Sequence, residues 1–183
     1  MSTTTAVKKE PGLAMLVIVL LVISLVTSLL LGVANELTAP AIAANEKAKN
    51  DAAMAAVLPA DGYTQVEYTG DDATVDAVYQ AGDAGYVVQV SPAGSFSGTL
   101  TIMVGVDSSA TVTGVEIVKT GETSGLGANA SKPAFKDQFK GVTGNAAVTK
   151  DGGTIDAITG ATITSRAVSN GVNSALAVVA SMG

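Results

Sequence analysis

The sequence predicts an α+β protein: a single N-terminal transmembrane helix followed by an antiparallel-sheet domain with flanking helices. Three observations carry that reading. An uncharged apolar run opens the chain, short β-rich segments fill its middle, and a helical pattern of apolar residues closes it.

The apolar run lies between Glu10 and Glu36, with Leu13 to Ala34 almost wholly hydrophobic. A spanning helix needs roughly 20 such residues. Ser24, Thr27 and Ser28 can bond back to their own helix and do not spoil the pattern. A cleaved signal peptide is the competing reading, because Lys8 and Lys9 precede the run and Ala41-Ile42-Ala43 mimics a cleavage site. The run exceeds the apolar region of about 7–15 residues found in signal peptides, which favours a retained anchor. Lys8 and Lys9 flank one end and Glu36 is the first charge beyond the other, with Lys47 and Lys49 further out. The positive-inside tendency then puts the N-terminus in the cytoplasm and the rest in the periplasm or cell exterior, anchored by one pass through the cell (inner) membrane. The expected division is a cytoplasmic tail over 1–11, the transmembrane helix over 12–34, a juxtamembrane helical stalk over 35–60 and an extracytoplasmic domain over 61–183. Within the stalk, residues 38–58 are alanine-rich and stop at Leu58-Pro59, a composition that also suits a loose linker.

From Tyr63 onward the pattern turns to β. Val75–Gln80, Gly85–Ser91, Thr99–Asp107 and Val112–Lys119 are rich in Val, Ile, Thr and Tyr and bounded by Gly, Asp or Ser. Ser108-Ser109-Ala110 suits a hairpin connection. Ser131-Lys132-Pro133 predicts a helix start, with Ser131 as cap and Pro133 in the first turn. That helix runs to about Lys140 and sets Phe135 and Phe139 on one face as core. A β-like run from Thr154 to Ile158 precedes a turn at Thr159-Gly160-Ala161. The closing helix follows, with Ala167, Val168, Val172, Ala175, Leu176 and Val179 on one face.

Composition narrows the chemistry. The 183 residues include no Cys, His or Trp. Thiolate-ligated clusters, disulfides and Ser-His-Asp or Cys-His catalysis are therefore excluded. Redox chemistry here would need an organic cofactor. A net charge of −6 and a lone arginine, Arg166, argue against nucleic-acid binding. No Gly-x-Gly-x-x-Gly fingerprint follows a strand.

The most informative segment is Asp156-Ala-Ile-Thr-Gly-Ala-Thr-Ile-Thr-Ser-Arg166. It places Thr162, Thr164 and Ser165 where a helix begins, and a helix N-terminus is a natural seat for a phosphate. Gly160 and Ala161 lack bulk and let a ligand approach the backbone. Plain N-capping by Thr or Ser suits the same geometry. A second constellation, Glu122-Thr123-Ser124-Gly125-Leu126-Gly127, is a glycine-spaced polar loop after a strand, and alone it is weak evidence.

Thr159-Gly160-Ala161-Thr162-Ile163-Thr164 resembles the flavinylation motif of the FMN-binding domain found in the G subunit of Rnf complexes and the C subunit of the sodium-pumping NADH:quinone oxidoreductase. The Glu122–Gly127 loop resembles the family's Glu-Thr-Pro-Gly-Leu-Gly loop beside the flavin, with Ser124 in place of Pro and no histidine upstream. Gln138-Phe139 resembles a third, weaker family segment. The resemblance covers roughly residues 80–180. It implies FMN held covalently by a phosphoester, with Thr164 as the matching position. Glu122, Thr123, Gly125, Leu126 and Gly127 would lie beside the flavin, with Gly160, Ala161, Thr162 and Ser165 around its phosphate. A threonine hydroxyl is a poor nucleophile, and Asp156 is the one candidate base near it in sequence. The resemblance instead implies a separate flavin transferase using FAD and a divalent metal.

The function so implied is a membrane-anchored electron-transfer subunit of an Rnf-type, ion-translocating ferredoxin:NAD⁺ oxidoreductase. Its partners would be the complex's other membrane subunits, and hydride transfer to NAD would occur elsewhere in that complex. Alternatives are the C subunit of the sodium-pumping quinone reductase, which is usually longer, and a stand-alone extracytoplasmic flavoprotein. A pilin-like structural protein is the rival from another class. Pilins usually carry a glutamate early in the apolar segment, and none stands between Glu10 and Glu36.

Overall fold

The computed structural model describes residues 12–182. The expected cytoplasmic tail, with Lys8 and Lys9, lies outside the described residues. The chain divides after Lys47 into two units.

The described part of the first unit is helical. Helix α1 spans Leu13–Val57, so the apolar run and the alanine-rich segment form one helix, with Pro40 inside it. It is long and apolar enough to cross a membrane, with a mean hydropathy of 3.0 over 18 residues and no burial there. Thr27 satisfies its hydroxyl by donating to the Ile23 carbonyl at 2.8 Å, the back-bonding that lets a polar residue sit in an apolar helix.

The second unit is built on a five-stranded antiparallel meander. Strands β1 (Thr64–Val66), β2 (Val75–Gln80), β3 (Gly85–Val90), β4 (Leu100–Asp107) and β5 (Val112–Thr120) lie side by side in chain order. Each of the four expected strands is present within a residue or so of its expected bounds, and β1 is a short addition. The β4–β5 hairpin turns where expected. The Asp107 carboxylate accepts the Ser109 and Thr111 N–H groups at 2.8 and 3.0 Å, and Ala110 takes the left-handed conformation at φ 57°.

Side-chain alternation along a strand buries both faces of this sheet. Val88, Val90, Leu100, Ile102, Val104 and Val106 join one core with Val168, Val172, Ala175 and Val179 of helix α3 (Thr162–Met182). All six apolar positions expected on one face of that helix are buried. Val87 and Met103 point the other way and pack with Ala53, Met54, Val57 and Leu58 from the end of α1. That second contact needs close backbone approach. Gly105 and Gly114 are cross-strand partners, and the Val57 backbone lies over both. Thr113 donates its hydroxyl to the Val57 carbonyl.

Two local expectations are corrected. The helix expected from Ser131 to Lys140 is three short pieces: a 3₁₀ turn at Gly127–Ser131, helix α2 at Pro133–Lys136 and a 3₁₀ turn at Asp137–Phe139. Pro133 holds Lys132 extended at φ −80°, ψ 142°, as a residue before proline must be. Lys132 therefore stands at the cap position, and Ser131 ends the preceding turn. Phe135 and Phe139 are core as expected, in edge-to-face contact with centroids 5.4 Å apart. The β-like run Thr154–Ile158 is no strand, and only a single parallel bridge joins Val148 and Ile155.

Gly105→Ala is expected to destabilise the domain. The added Cβ would come within 2.5 Å of the Val57 carbonyl oxygen, and such overpacking typically costs about 1–3 kcal/mol. Denaturant unfolding measures this, and an unchanged midpoint would contradict the close docking of the helix end.

Candidate functional site

Four segments meet at the N-terminus of α3. The first is the loop after β5. Thr123 closes it by accepting the Leu126 and Ala128 N–H groups at 3.1 and 3.2 Å, and Gly125 turns it at φ +76°. Its Gly127 lies against the side chains of Glu122 and Thr164. A Cβ there would meet Glu122 Oε2 at 2.4 Å and Thr164 Oγ1 at 2.8 Å. Only glycine lets the loop close over those two groups.

The second segment is the turn into α3. The Ala161 N–H bonds the Ile158 carbonyl at 2.9 Å, with Gly160 at φ +76°. Ser165 locks this turn from beneath. Its Oγ accepts the Ile158 N–H and donates to the Ala161 carbonyl, both at 3.0 Å. Ser165 is fully buried and serves the turn rather than the cavity above it. Gln138, from the weakest of the three expected segments, steadies the approach by accepting the Asp156 N–H at 2.7 Å.

The third segment is the 3₁₀ turn Thr149–Asp151. Arg166 grips Asp151 with two hydrogen bonds of 2.6 Å, tying the turn to α3 in a bidentate geometry. Lys150 then reaches Thr162 Oγ1 at 3.2 Å. The fourth segment precedes β4 and contains Phe96 and Ser97.

Glu122 joins three of the four. Its Oε2 accepts the Thr164 hydroxyl at 2.6 Å, and its Oε1 accepts the Ser97 N–H and hydroxyl at 3.0 and 2.9 Å. Glu122 is 8% exposed and Thr164 1%. Burial pushes the Glu122 carboxyl up, yet the hydrogen bonds from Thr164, Ser97 and the Phe96 backbone outweigh it and hold the group below its ordinary value. The carboxylate that reaches Thr164 is therefore Glu122, across 42 residues of sequence, and not the Asp156 that sequence proximity offered.

Around these contacts lies a cavity of about 390 Å³, within the range of small-molecule sites. Of the expected site residues, Glu122, Thr123, Leu126, Gly127, Gly160, Ala161, Thr162 and Thr164 line it. Gly125 shapes the loop, and Ser165 lies in the core. Phe96, Lys150 and Ile163 also line the cavity, and sequence reasoning missed all three. Phe96 had one signal, a lone aromatic in a Ser-Gly-rich connection. Lys150 had none, because only the fold brings it to Thr162.

The cavity is polar at one end and apolar at the other. The start of a 21-residue helix and the Lys150 ammonium both favour an anion beside Thr162. Leu126, Ile163 and Phe96 offer apolar surface. A phosphorylated ligand with an apolar ring system, such as FMN, fits that division. When bound, FMN supplies electron-transfer chemistry that no side chain here can perform.

The depressed Glu122 carboxyl links stability to pH. Its contribution is full above the unfolded value, near 4.5, and is lost as pH falls through the folded value. Unfolding measured from about pH 7 into that acid range should show this loss in the wild type and a flatter profile in Glu122→Gln. Thr164→Val removes a hydrogen bond to a charged group and should cost about 1.5–3 kcal/mol at neutral pH. Equal acid sensitivity of wild type and Glu122→Gln would contradict the assignment.

Comparison with known proteins places this arrangement. The FMN-binding domain family matches residues 95–177, a span that contains every residue lining the cavity. The G subunit of the ion-translocating oxidoreductase complex of Methanosarcina acetivorans is 32% identical over 171 residues, covering 87% of this chain and 90% of that protein. The G subunit of the Na(+)-translocating ferredoxin:NAD(+) oxidoreductase complex of Acetobacterium woodii is 40% identical over 101 residues. That match covers 51% of this chain and 48% of the relative, so it spans about half the relative's length. Among solved structures, the C subunit of the Na(+)-translocating NADH-quinone reductase of Parabacteroides distasonis is 33% identical. The match covers 56% of this chain and 58% of that one, with a TM-score of 0.45. The chain belongs to the family of G subunits of ion-translocating oxidoreductase complexes.

Proposed function

We propose that this protein is the membrane-anchored, FMN-carrying electron-transfer subunit of an Rnf-type ferredoxin:NAD⁺ oxidoreductase coupled to ion translocation. The observation that carries the reading is the convergence of the glutamate loop and the threonine motif on one cavity with a cationic and an apolar end. The two motifs lie about 40 residues apart in sequence and meet through the Glu122–Thr164 hydrogen bond. The subunit relays electrons among neighbouring membrane subunits, and it works through its flavin because it has no other redox group.

The flavin is held by a phosphoester to a threonine of the 159–164 segment. A separate flavin transferase makes that bond from FAD with a divalent metal. The threonine oxygen bonds to the FMN phosphorus, the pyrophosphate bridge breaks, AMP departs and the hydroxyl proton is released. The motif resemblance gives Thr164 as the acceptor, and two observations support it. Thr164 lines the cavity, and its hydroxyl donates to the Glu122 carboxylate at 2.6 Å, a base within reach of the hydroxyl proton. The Lys150 ammonium, on Thr162 Oγ1 at 3.2 Å, is near enough to offset phosphate charge. The acceptor we propose is therefore Thr164.

The anchor is α1, a single pass that keeps the flavin domain outside the cytoplasm. Its apolar segment and the charge asymmetry of the sequence support this orientation.

Peptide mapping of protein made alongside a transferase tests the attachment. FMN minus water is expected on the tryptic peptide ending at Arg166, localised to Thr164 by fragmentation. Thr164→Ala should abolish it. Modification at Thr162 or Thr159 would overturn the assignment, and the absence of any adduct would overturn covalent attachment.

Orientation is tested separately by adding protease to cells stripped of wall or outer membrane. The domain should be digested and the N-terminal tail spared. A protected domain would reverse the orientation.

A further inference from the structure

The Glu122–Thr164 hydrogen bond cannot outlast attachment at Thr164 in its present form. Thr164 gives its hydroxyl proton to Glu122 Oε2 at 2.6 Å. A phosphoester at that oxygen has no proton to give, so one acceptor would face another. The remaining donors to Glu122 are the Ser97 N–H and hydroxyl and the Phe96 backbone. All belong to the segment before β4 and take no part in the reaction. They leave the carboxylate one donor short beside a new negative charge.

The surroundings offer no replacement. Glu122 and Thr164 are both buried, and Gly127 lies against both side chains with no room for a Cβ. The segment before β4, residues 91–99, contains no charged residue, and neither does the rest of the Glu122–Gly127 loop. On the turn Thr149–Asp151, Lys150 bonds Thr162 Oγ1. Arg166, the one charged residue of α3, is taken up by Asp151. Asp156, on the approach to α3, has the same sign as Glu122. Burial pushes the Glu122 carboxyl up, and the Thr164 hydrogen bond is the largest influence that brings it down. Losing that bond and gaining a phosphate anion both act in the direction of burial.

We infer that the proton leaving the Thr164 hydroxyl passes to Glu122 and stays there, so that the flavin-loaded protein holds a neutral Glu122 as a hydrogen-bond donor. The inference rests on the Thr164 attachment given above and adds the fate of the proton to it. In the transfer the Thr164 O–H bond breaks and its oxygen bonds the FMN phosphorus. The pyrophosphate P–O bond breaks, AMP leaves with that electron pair, and the proton goes to Glu122 Oε2. Charge balances, because the negative charge given up by the carboxylate reappears on the departing phosphate. A protonated carboxyl has one O–H to donate and keeps acceptor capacity. Glu122 can therefore bond the esterified threonine with the direction of the hydrogen bond reversed, while Ser97 still bonds Oε1. The glutamate loop stays closed over the attached residue.

Loading also reverses the sign of the pH dependence. In the unloaded protein the depressed carboxyl contributes stability that is lost on acidification. In the loaded protein a raised carboxyl contributes stability that is full below the unfolded value, near 4.5, and is lost as pH rises through the folded one.

The test uses full-length protein in detergent, made with and without a flavin transferase and with isotope-labelled glutamate. Fragmentation of the peptide ending at Arg166 first locates the adduct. At neutral pH, infrared spectra of protein loaded at Thr164 should contain the C=O stretch of one protonated carboxyl, shifting with the label and in heavy water. The unloaded protein should lack it, and the label separates it from the flavin's own carbonyls. Protein loaded at Thr164 without this band, or an equal band in unloaded protein, would overturn the inference alone. An adduct elsewhere, or none, would overturn the attachment on which it rests and the inference with it. Thr164→Val gives a second reading that needs no transferase. On acidification of this unloaded variant, the Glu122 band is isolated by subtracting the matching Glu122→Gln spectrum. It should appear at higher pH than in unloaded wild type, and an unchanged midpoint would contradict the dependence of the Glu122 charge on that hydroxyl.

Discussion

The buried carboxylate of Glu122 is the contact on which the site's geometry depends. An ionised carboxylate removed from water is tolerated only when its lone pairs are filled, and here donors arrive from Thr164 of α3 and from Phe96 and Ser97 in the segment before β4. Satisfying one charge therefore forces distant segments into register. Replacing Thr164 or Ser97 would leave that charge short of a donor, which is more damaging than losing an equivalent bond between neutral groups. The glycine at 127 completes the arrangement, since a side chain there would strike both members of the central pair.

Around this polar hub the domain is held by apolar packing on both sides of one meander. Helix α3 covers one face and the end of α1 covers the other. The two helices do different work. Helix α3 brings its N-terminus, with Thr162 and Thr164, to the cavity, so packing of its apolar face places the motif. The last turns of α1 fix the sheet from behind, through Val57 over Gly105 and Gly114. The site is thus mounted on a long helix and an antiparallel sheet, while the loops contribute shape. For a cofactor site this division is favourable, because position then comes from packed elements and adaptability from short connections.

Much of this was legible in the sequence, for identifiable reasons. Strands β2 to β5 carry β-branched runs with clear Gly, Asp and Ser boundaries, and α3 repeats its apolar residues at helical spacing. Local pattern and tertiary demand agree at those places. The stretch from Ser131 to Lys140 misled because Pro133 signals a helix start and also forbids helical backbone at Lys132. The run Thr154–Ile158 has strand-like composition but is ordered by Gln138, Ser165 and a single bridge. Within the site, residues named by contiguous motifs were found, and those delivered by long-range folding were not. Lys150 meets Thr162 only because Arg166 clamps Asp151, and the partnership of Glu122 with Thr164 has no local trace.

The most direct measurement is an experimental structure of the flavin-loaded protein isolated from membranes. Ligand density is expected to be continuous with Thr164 Oγ1, with the phosphate near Lys150 and the ring system in the cavity between the glutamate loop and the start of α3. A flavin bound away from this cavity, or the cavity closed by its own side chains while the flavin lies elsewhere, would contradict it.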